Sequence, residues 1–381
     1  MQEKKWPNFN KNLISGVSKI LRSGNINYTT GSFGKKFEKK FSKFVGNNYS
    51  IATCNGTVAL EVAIRSLNLP KKSEIIVPAR SFFSSASCIV NTGYVPVFVD
   101  VDINTQNISL DEIKKKINNR TKAICIVHFL GIPVDIKPIK NFAKKNNLFL
   151  IEDCALALGS NYYGKHVGTL GDAGVFSFYP VKHITTGEGG MIITNKKKLA
   201  KRLKLSRAFG VNKNYRERKK PGLYNSNQLG INFRMSEIHC SLGSSQIDKA
   251  KRFLSIRKNN FEFLVKNLKY NNNISIIDSD KKYLKNSHYC LTIILKKNLR
   301  KKRDKIIKDL NIKGIGTSIY YPHPLPRMNY YKNKYKLKLD NFKNARIISD
   351  FSIALPVGPH ISSSQVKKMS NIINSVLSKY E

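Results

Sequence analysis

The sequence predicts an α/β protein with a mostly parallel, mixed sheet and a smaller α+β domain at the C-terminus. Between residues 49 and 194, short apolar runs alternate with segments of helical periodicity, as in sheets that carry helices on both faces. After about residue 250 this alternation gives way to a more mixed pattern. A chain of 381 residues also exceeds one compact core, so we expect a large domain at 1–248 and a small one at 249–381.

The elements are predicted in chain order from their periodicity. Residues 10–45 have the apolar spacing of helices, interrupted by the turn-rich segment SGNINYTTGSFG. Strands of the large domain are predicted at 49–53, 74–78, 95–99, 123–128, 148–152, 174–178 and 190–194. The lysine- and asparagine-rich residues 212–228 predict a polar loop. The small domain is predicted to contain a long helix over KRFLSIRKNNFEFLVKNL, strands near 289–295 and 315–320, and a closing helix at 363–379.

The chain has a large excess of positive charge. Its formal net charge is +43, from 67 Lys and Arg against 24 Asp and Glu, which is typical of proteins that bind polyanions. The basic residues are spread along the chain in short runs such as Lys114–Lys116, together with abundant Asn and Ile, and form no single arm. This distribution favours solvated helix faces over a nucleic-acid surface. We therefore expect no nucleic-acid partner, although anionic substrates would be attracted.

Hydropathy and cysteine usage indicate the cellular environment that we expect for the chain. No run of eighteen or more uncharged apolar residues occurs, and the N-terminal MQEKKWPNFNKN has no apolar signal-peptide core. We expect a cytoplasmic protein without membrane contact. The six cysteines include no CxxC pair, which predicts reduced core residues and no metal site or disulfide framework.

One lysine stands in a context that suggests chemistry. The segment FSFYPVKHITTGEGG places Lys182 between an aromatic strand and a glycine-rich turn, and LFLIEDC reads as a buried strand with carboxylates at its C-terminal end. Alternate strand residues face opposite sides, so only one of Glu152 and Asp153 can face a given ligand. A lysine and an acid are the charges that pyridoxal phosphate (PLP) requires, for a Schiff base and a protonated ring nitrogen. The alternative is that Asp153 caps a following helix.

Three further features could hold the rest of such a cofactor. NGT, Asn55–Thr57, opens a helix, and helix N-termini bind phosphate. Thr57 as a simple N-cap, worth about 1 kcal/mol, is the favoured alternative for this motif alone. Ser177 could donate to a phosphate or be a small strand residue. Phe82 could stack on a flat ring or belong to the core.

Taken together, these segments resemble the DegT/DnrJ/EryC1/StrS family of PLP-dependent sugar aminotransferases, which have the fold-type I (aspartate aminotransferase-like) architecture. The resemblance extends over nearly the whole chain. Several segments in the right order are far more specific than any one of them. Those segments are NGTVAL, EIIVPARSF, PVFVDVD, VHFLG, IEDCALALGS, FSFYPVKHITTGEGG, LGINFRMSEIH and ALPVGPH.

The resemblance implies a role for each matching residue. Lys182 would be the Schiff-base lysine and a proton shuttle, and Asp153 would pair with the pyridine nitrogen. The phosphate would be held by Gly56, Thr57 and Ser177, with Phe82 stacked on the ring.

Family members are usually homodimers with shared active sites. Asn232 in GINFRM would reach the partner subunit's phosphate. Arg234 beside it would face the same site or bridge to a core helix.

The chain departs from the family pattern at two places. Leu156 stands where the family commonly has Gln, His or Glu near the ring hydroxyl, so one ring contact is missing or replaced. In YPHPLPR, which begins at Tyr321, Pro326 stands at a position where a histidine is frequent. His323 lies nearby as a substitute. The candidate substrate contacts are Arg234, Tyr321 and His323.

The function implied is transfer of an amino group from glutamate to a keto group of a nucleotide-linked deoxysugar, in polysaccharide or glycoconjugate precursor synthesis. The ITTGEGG turn resembles that of relatives acting at sugar C4, such as perosamine synthases. One alternative is a PLP-dependent sugar 3-dehydratase, since His183 matches the second histidine of that branch, although Lys182 replaces the first. Another is a non-catalytic basic binding protein on the same scaffold, supported by the net charge and Leu156.

Overall fold

The computed structural model describes residues 6–211, 217, 220, 222–277 and 282–380. The predicted polar loop at 212–228 lies partly outside the described residues. The helices are α1 (Lys11–Ser23), α2 (Phe33–Val45), α3 (Gly56–Arg65), α4 (Ser84–Asn91), α5 (Leu110–Lys114), α6 (Ile136–Lys145), α7 (Lys197–Arg207), α8 (Glu237–Leu268), α9 (Arg303–Ile312), α10 (Asn329–Tyr335), α11 (Lys343–Phe351) and α12 (Ser363–Ser378). The strands are β1 (Tyr49–Thr53), β2 (Glu74–Pro78), β3 (Val95–Val99), β4 (Thr121–Val127), β5 (Phe149–Asp153), β6 (Asn161–Tyr162), β7 (Lys165–His166), β8 (Ala173–Ser177), β9 (Gly190–Thr194), β10 (Ile274–Ile276), β11 (Leu284–Lys285), β12 (Leu291–Leu295) and β13 (Ser352–Leu355).

The main sheet has seven strands in the order β1-β9-β8-β5-β4-β2-β3. The pairs from β3 to β8 are parallel, whereas β9 runs antiparallel to both of its neighbours. Strands β2 and β9 are buried along their whole length, which is typical of sheets covered on both faces. The predicted mostly parallel mixed sheet is confirmed, and each predicted strand of the large domain agrees with an observed one within two residues.

Helices cover both faces of this sheet. In β9, Ile192 packs in the same cluster as Ile64 of α3, whereas Ile193 packs with Phe41 of α2. This alternation follows from the period of two along a strand. The carboxyl ends of the parallel strands therefore open between the two helical layers.

The C-terminal part forms a separate apolar cluster around the small antiparallel sheet β10-β12-β13. The predicted long helix is the second half of α8, which has 32 residues, and the closing helix is α12, begun by a capping box of Ser362 and Gln365. The prediction of a strand at 315–320 is wrong, because that segment makes only one bridge, from Ser318 to Ala354. The domain boundary at residue 248 falls inside α8 and stays a prediction.

The cysteines behave as small packing residues. All six are free and five are buried. Burial raises the pKa of the Cys125 thiol well above its usual value, so that this side chain stays neutral in the core. Within the described ranges, no helix is both long enough and apolar enough to cross a membrane.

Candidate active site

A cavity of about 410 Å³ lies where the carboxyl ends of β5 and β8 meet the N-terminus of α3. This is the edge at which open α/β sheets bind their ligands. Six of the seven predicted cofactor contacts line it, as does the predicted substrate contact Tyr321. The six are Gly56, Thr57, Phe82, Asp153, Ser177 and Lys182.

Asp153 is a buried carboxylate at the end of β5. Its side chain accepts hydrogen bonds from the Ser85 hydroxyl at 2.8 Å and the Ala155 backbone N–H at 3.0 Å. Burial raises the pKa of Asp153, against the opposing effect of these bonds and of the Lys182 charge. The helix-cap interpretation is wrong, since residues 154–160 form turns and no helix. These hydrogen bonds fix the position of the Asp153 carboxylate. A cationic partner beside it would stabilise its ionised form.

Lys182 lies in the turn that follows β8. Its backbone N–H donates to the Tyr179 carbonyl at 2.9 Å, and its amine is 5.4 Å from the centre of the Tyr289 ring. Burial lowers the pKa of Lys182 to about 8, although the Asp153 charge acts in the opposite direction. A lysine with a lowered pKa has a larger neutral fraction near pH 7, and the neutral amine is the nucleophile.

The N-terminus of α3 forms one wall of the cavity. The Asn55 side chain caps this helix by accepting from the Val58 N–H at 3.0 Å. The interpretation of Thr57 as the N-cap is therefore wrong, and Thr57 lines the cavity instead. The first N–H groups of a helix have no intrahelical partner, so this wall fits a phosphate.

Gly56 allows α3 to approach β8 closely. A Cβ atom at this position would lie 2.7 Å from the Ser177 Cβ. We expect Gly56→Ala to destabilise the fold by about 1–3 kcal/mol, because overpacking forces neighbouring atoms apart. Gly16→Ala is the control, since a Cβ there meets nothing within 4 Å, and alanine in a helix interior stabilises by about 0.5–1 kcal/mol. Urea unfolding of both variants tests this; equal midpoints would contradict the close approach.

Glu152 faces away from the cavity, as the strand period requires. It accepts from His128 at 3.0 Å and from the backbone N–H groups of Gly168, Leu170 and Gly171. Although burial alone would raise the pKa of Glu152, these hydrogen bonds lower it. His128, Glu152 and Cys154 have potential metal ligands within 4.8 Å of one another. The carboxylate is already saturated with donors, so this network holds β4, β5 and the following loop together.

The remaining predicted residues lie outside this cavity. Asn232 is exposed and pairs with Ala208 through the backbone. Arg234 pairs with Thr53 at the end of β1, and its guanidinium lies 5.2 Å from the Phe209 ring centre. His323 is exposed. Their predicted roles concern a partner subunit or a substrate and stay predictions.

The cavity also contains residues that the sequence analysis missed. Ser84 comes from α4, and Tyr289 and Tyr320 come from the C-terminal part of the chain. Leu156 makes an apolar wall together with Phe129. The serine-rich run after Phe83 was a usable signal for Ser84, whereas no local motif marks the two tyrosines.

Comparisons with known proteins agree with this arrangement. A family model described as the DegT/DnrJ/EryC1/StrS aminotransferase family matches residues 7–374. GDP-perosamine synthase of Escherichia coli O157:H7 is 35% identical over 350 residues, or 91% of each chain. The dTDP-3-amino-3,6-dideoxy-alpha-D-galactopyranose transaminase of Aneurinibacillus thermoaerophilus is 32% identical over 96% of this chain and 95% of its own. An aminotransferase structure from Psychrobacter cryohalolentis superposes with a TM-score of 0.92 at 30% identity, covering 99% of both chains.

Proposed function

The chain belongs to the DegT/DnrJ/EryC1/StrS aminotransferase family, and from this premise we propose that it moves the amino group of glutamate to the C4 keto group of a nucleotide-linked deoxysugar. The product would be a precursor of a polysaccharide or glycoconjugate. The observation that carries the proposal is one cavity with Lys182 and Asp153, an amine of lowered pKa and a buried carboxylate.

The residues of the cavity fit PLP, the cofactor of this family. Thr57 and Ser177, with the N–H groups of Gly56 and Thr57, would hold its phosphate at the start of α3. Asp153 would accept a hydrogen bond from the ring nitrogen, and Phe82 would cover the ring. When bound, PLP supplies an electron sink for bond breaking at the amino carbon.

The protein's own groups account for anchoring and proton transfer. The Lys182 Nζ atom would first hold the cofactor covalently. After the amino donor displaces it, the neutral Lys182 amine would take a proton from the donor's amino carbon and deliver it to the carbon on the other side of the transferred nitrogen. Asp153 would be held ionised by a cationic ring nitrogen beside it, since an opposite charge favours the charged form of a carboxyl group. Tyr289, Tyr320 and Tyr321 would exclude water from this side of the cavity.

The choice of C4 rests on the ITTGEGG turn and on the similarity to a GDP-perosamine synthase. The chain is also similar to a transaminase whose product carries the amino group at C3. C3 is therefore the alternative position of amination, which experiments must distinguish from C4. The dehydratase alternative requires a histidine in place of Lys182. His183 does not line the cavity; its ring packs 5.6 Å from Tyr289, and its Nε2 lies 3.1 Å from the Ser287 carbonyl oxygen.

We also infer a homodimer with shared sites. The surface next to Asn232 exposes several large apolar side chains, and isolated monomers rarely leave such side chains clustered in water. They are Phe209, Leu223, Tyr224, Leu229 and Ile231. Light scattering in solution should give twice the chain mass of 43.2 kDa; a monomeric mass would contradict the shared site.

The proposed function is tested by absorption spectroscopy of the PLP-loaded protein. Glutamate should remove the visible band of the lysine-bound cofactor, and a nucleotide-linked 4-keto-6-deoxysugar should restore it. GDP-, dTDP- and UDP-linked 4-keto and 3-keto sugars form the substrate panel, with NMR of the product to locate the new amino group. If glutamate bleaches the band and none of the 4-keto sugars restores it, the C4 assignment is wrong.

The lowered pKa of Lys182 predicts how cofactor capture depends on pH. With a pKa of about 8, about one tenth of the amine is neutral at pH 7 and about half at pH 8. Because the neutral amine reacts, the second-order rate of PLP capture by cofactor-free protein should rise about fivefold between these values and level off above about pH 9. Stopped-flow absorbance measures this, with Nα-acetyl-lysine amide as the control. A rate that keeps rising to pH 10, as in the control, would contradict the lowered pKa.

A further inference from the structure

A second cavity of about 240 Å³ adjoins the lysine cavity. The two share Val181, Tyr289 and Tyr320 as wall residues. The far wall of the second cavity includes Arg257 from α8 and Trp6 from the segment before α1. The two cavities therefore adjoin at the two tyrosines, with Arg257 on the wall of the second one.

Arg257 is a buried cation without a counter-ion among the described residues. Its side chain is 4% exposed, and its Nη1 donates to the Tyr289 carbonyl at 3.0 Å. Its Nε is buried and has no acceptor in the described part of the chain. Burial lowers the pKa of Arg257 to about 10, which leaves it positively charged at neutral pH. A buried charge without a partner is costly, so an anion at this place would be strongly stabilised.

Two other buried arginines differ from Arg257 in the partners of their guanidinium groups, although the Arg207 Nε likewise has no acceptor among the described residues. Arg207 pairs with Glu38 at 2.9 Å. Arg80 donates to four neutral acceptors: the side chains of Gln106 and Ser349 and the carbonyls of Tyr320 and Tyr321. Arg80 therefore links the large domain to the small one and has little capacity left for a ligand.

Trp6 supplies a second donor to the same cavity. Its indole Nε1 is buried and also has no acceptor among the residues that the structure describes. The ring centre lies 5.9 Å from the Arg257 Cζ. Buried N–H groups almost always have a partner, and two such donors beside one positive charge match an oxyanion.

We propose that Arg257 and Trp6 form a carboxylate-binding subsite that takes one carboxylate of the amino donor. The inference rests on the proposed function in that the donor is an amino acid such as glutamate. The donor's amino group would lie in the lysine cavity while its carboxylate lies beyond Tyr289 and Tyr320. With this subsite, the lysine cavity would accept the acidic donor and the sugar in turn. The donor would bind Arg257, whereas the sugar ring would not contact it.

The test is calorimetric titration of the PLP-loaded protein with glutarate, which has the carboxylates of glutamate but no amino group. Since a hydrogen bond to a charged group is worth about 1.5–3 kcal/mol, Arg257→Gln should weaken glutarate binding at least about tenfold. Arg257→Lys should lose less, because it keeps the charge. Arg300→Gln is the matched control, since Arg300 also donates to a backbone carbonyl and covers an aromatic ring, but outside both cavities.

A second variant keeps the test decisive if Arg257→Gln does not fold. Trp6→Phe retains an aromatic ring and removes only the indole donor, and should weaken glutarate about threefold to tenfold at unchanged unfolding temperature. The subsite is wrong if glutarate does not bind to the unmodified protein, or if it binds both variants as tightly as the control.

Nucleoside diphosphates distinguish a carboxylate subsite from a phosphate subsite. Titration with GDP and UDP should give the same affinity for the Arg257→Gln variant and the unmodified protein. Loss of diphosphate affinity with unchanged glutarate affinity would overturn the carboxylate assignment. Failure of every ketosugar as acceptor would defeat the proposed function alone, because glutarate binding is measured without any sugar.

Discussion

Lys182→Ala is expected to lower turnover by about 10²–10⁴-fold, the range typical for removing a proton-transfer group. The side chain is expected to serve both as covalent anchor and as proton carrier. Among the described residues, Lys182 is the lysine that lines the cavity. The variant should bind PLP without the visible band of a lysine-bound cofactor. Single-turnover kinetics with glutamate and the absorption spectrum measure both effects.

Lys165→Ala is the control for this loss, because Lys165 is exposed and lies in β7, away from the cavity. It should keep the band and full turnover. Lys182→His tests the boundary with the dehydratase branch, in which a histidine stands at this position. Full transaminase turnover in Lys182→His would contradict the role assigned to the lysine.

Asp153→Asn is expected to slow turnover by at least about tenfold. The reason is that a hydrogen bond to a charged group contributes about 1.5–3 kcal/mol, and the effect grows if the ring nitrogen loses its proton. Asparagine has nearly the same shape, and its one side-chain oxygen can still accept from the Ala155 N–H, as Asp153 Oδ1 does. Its NH2 group can donate to the Ser85 hydroxyl, which can turn its own hydrogen toward Ser81. The substitution therefore removes the charge with little change in packing.

The measurement is the steady-state rate with glutamate and the best ketosugar, together with the pH dependence of the cofactor's absorption. Asp248→Asn is the control, because Asp248 pairs with Lys40 at an exposed position of α8. An unchanged rate in Asp153→Asn would mean that a group other than Asp153 pairs with the ring nitrogen.

The strands of the large domain were predictable because their signal is local. A mostly apolar run such as EIIVP or GMIIT is buried along its whole length in a sheet that helices cover on both faces, and the pattern within five residues reveals it. The strand predicted at 315–320 is not observed, and β13 is observed but was not predicted. Both lie at the edges of small sheets, where pairing depends on residues far away in the chain.

Local signals also predicted the candidate reacting groups. Asp153 ends a strand and Lys182 follows the next strand of the main sheet, so the topology alone brings them to one edge. The capping residue of α3 shows the limit of this reasoning. Asn55 and Thr57 are both good N-caps, and only the backbone conformation decides that Asn55 accepts the N–H while Thr57 faces the cavity.

The sequence by itself determined the sheet, the family and the lysine–aspartate pair, since each depends on residues close together in the chain or on motifs in a set order. The tertiary structure alone decided which residues of the C-terminal part meet at the lysine cavity and the cavity beside it. Tyr289, Tyr320 and Arg257 meet there from segments that are each unremarkable in sequence. Burial, which lowers the pKa values of Lys182 and Arg257, likewise arises only when the chain is folded, because desolvation depends on what packs around a group.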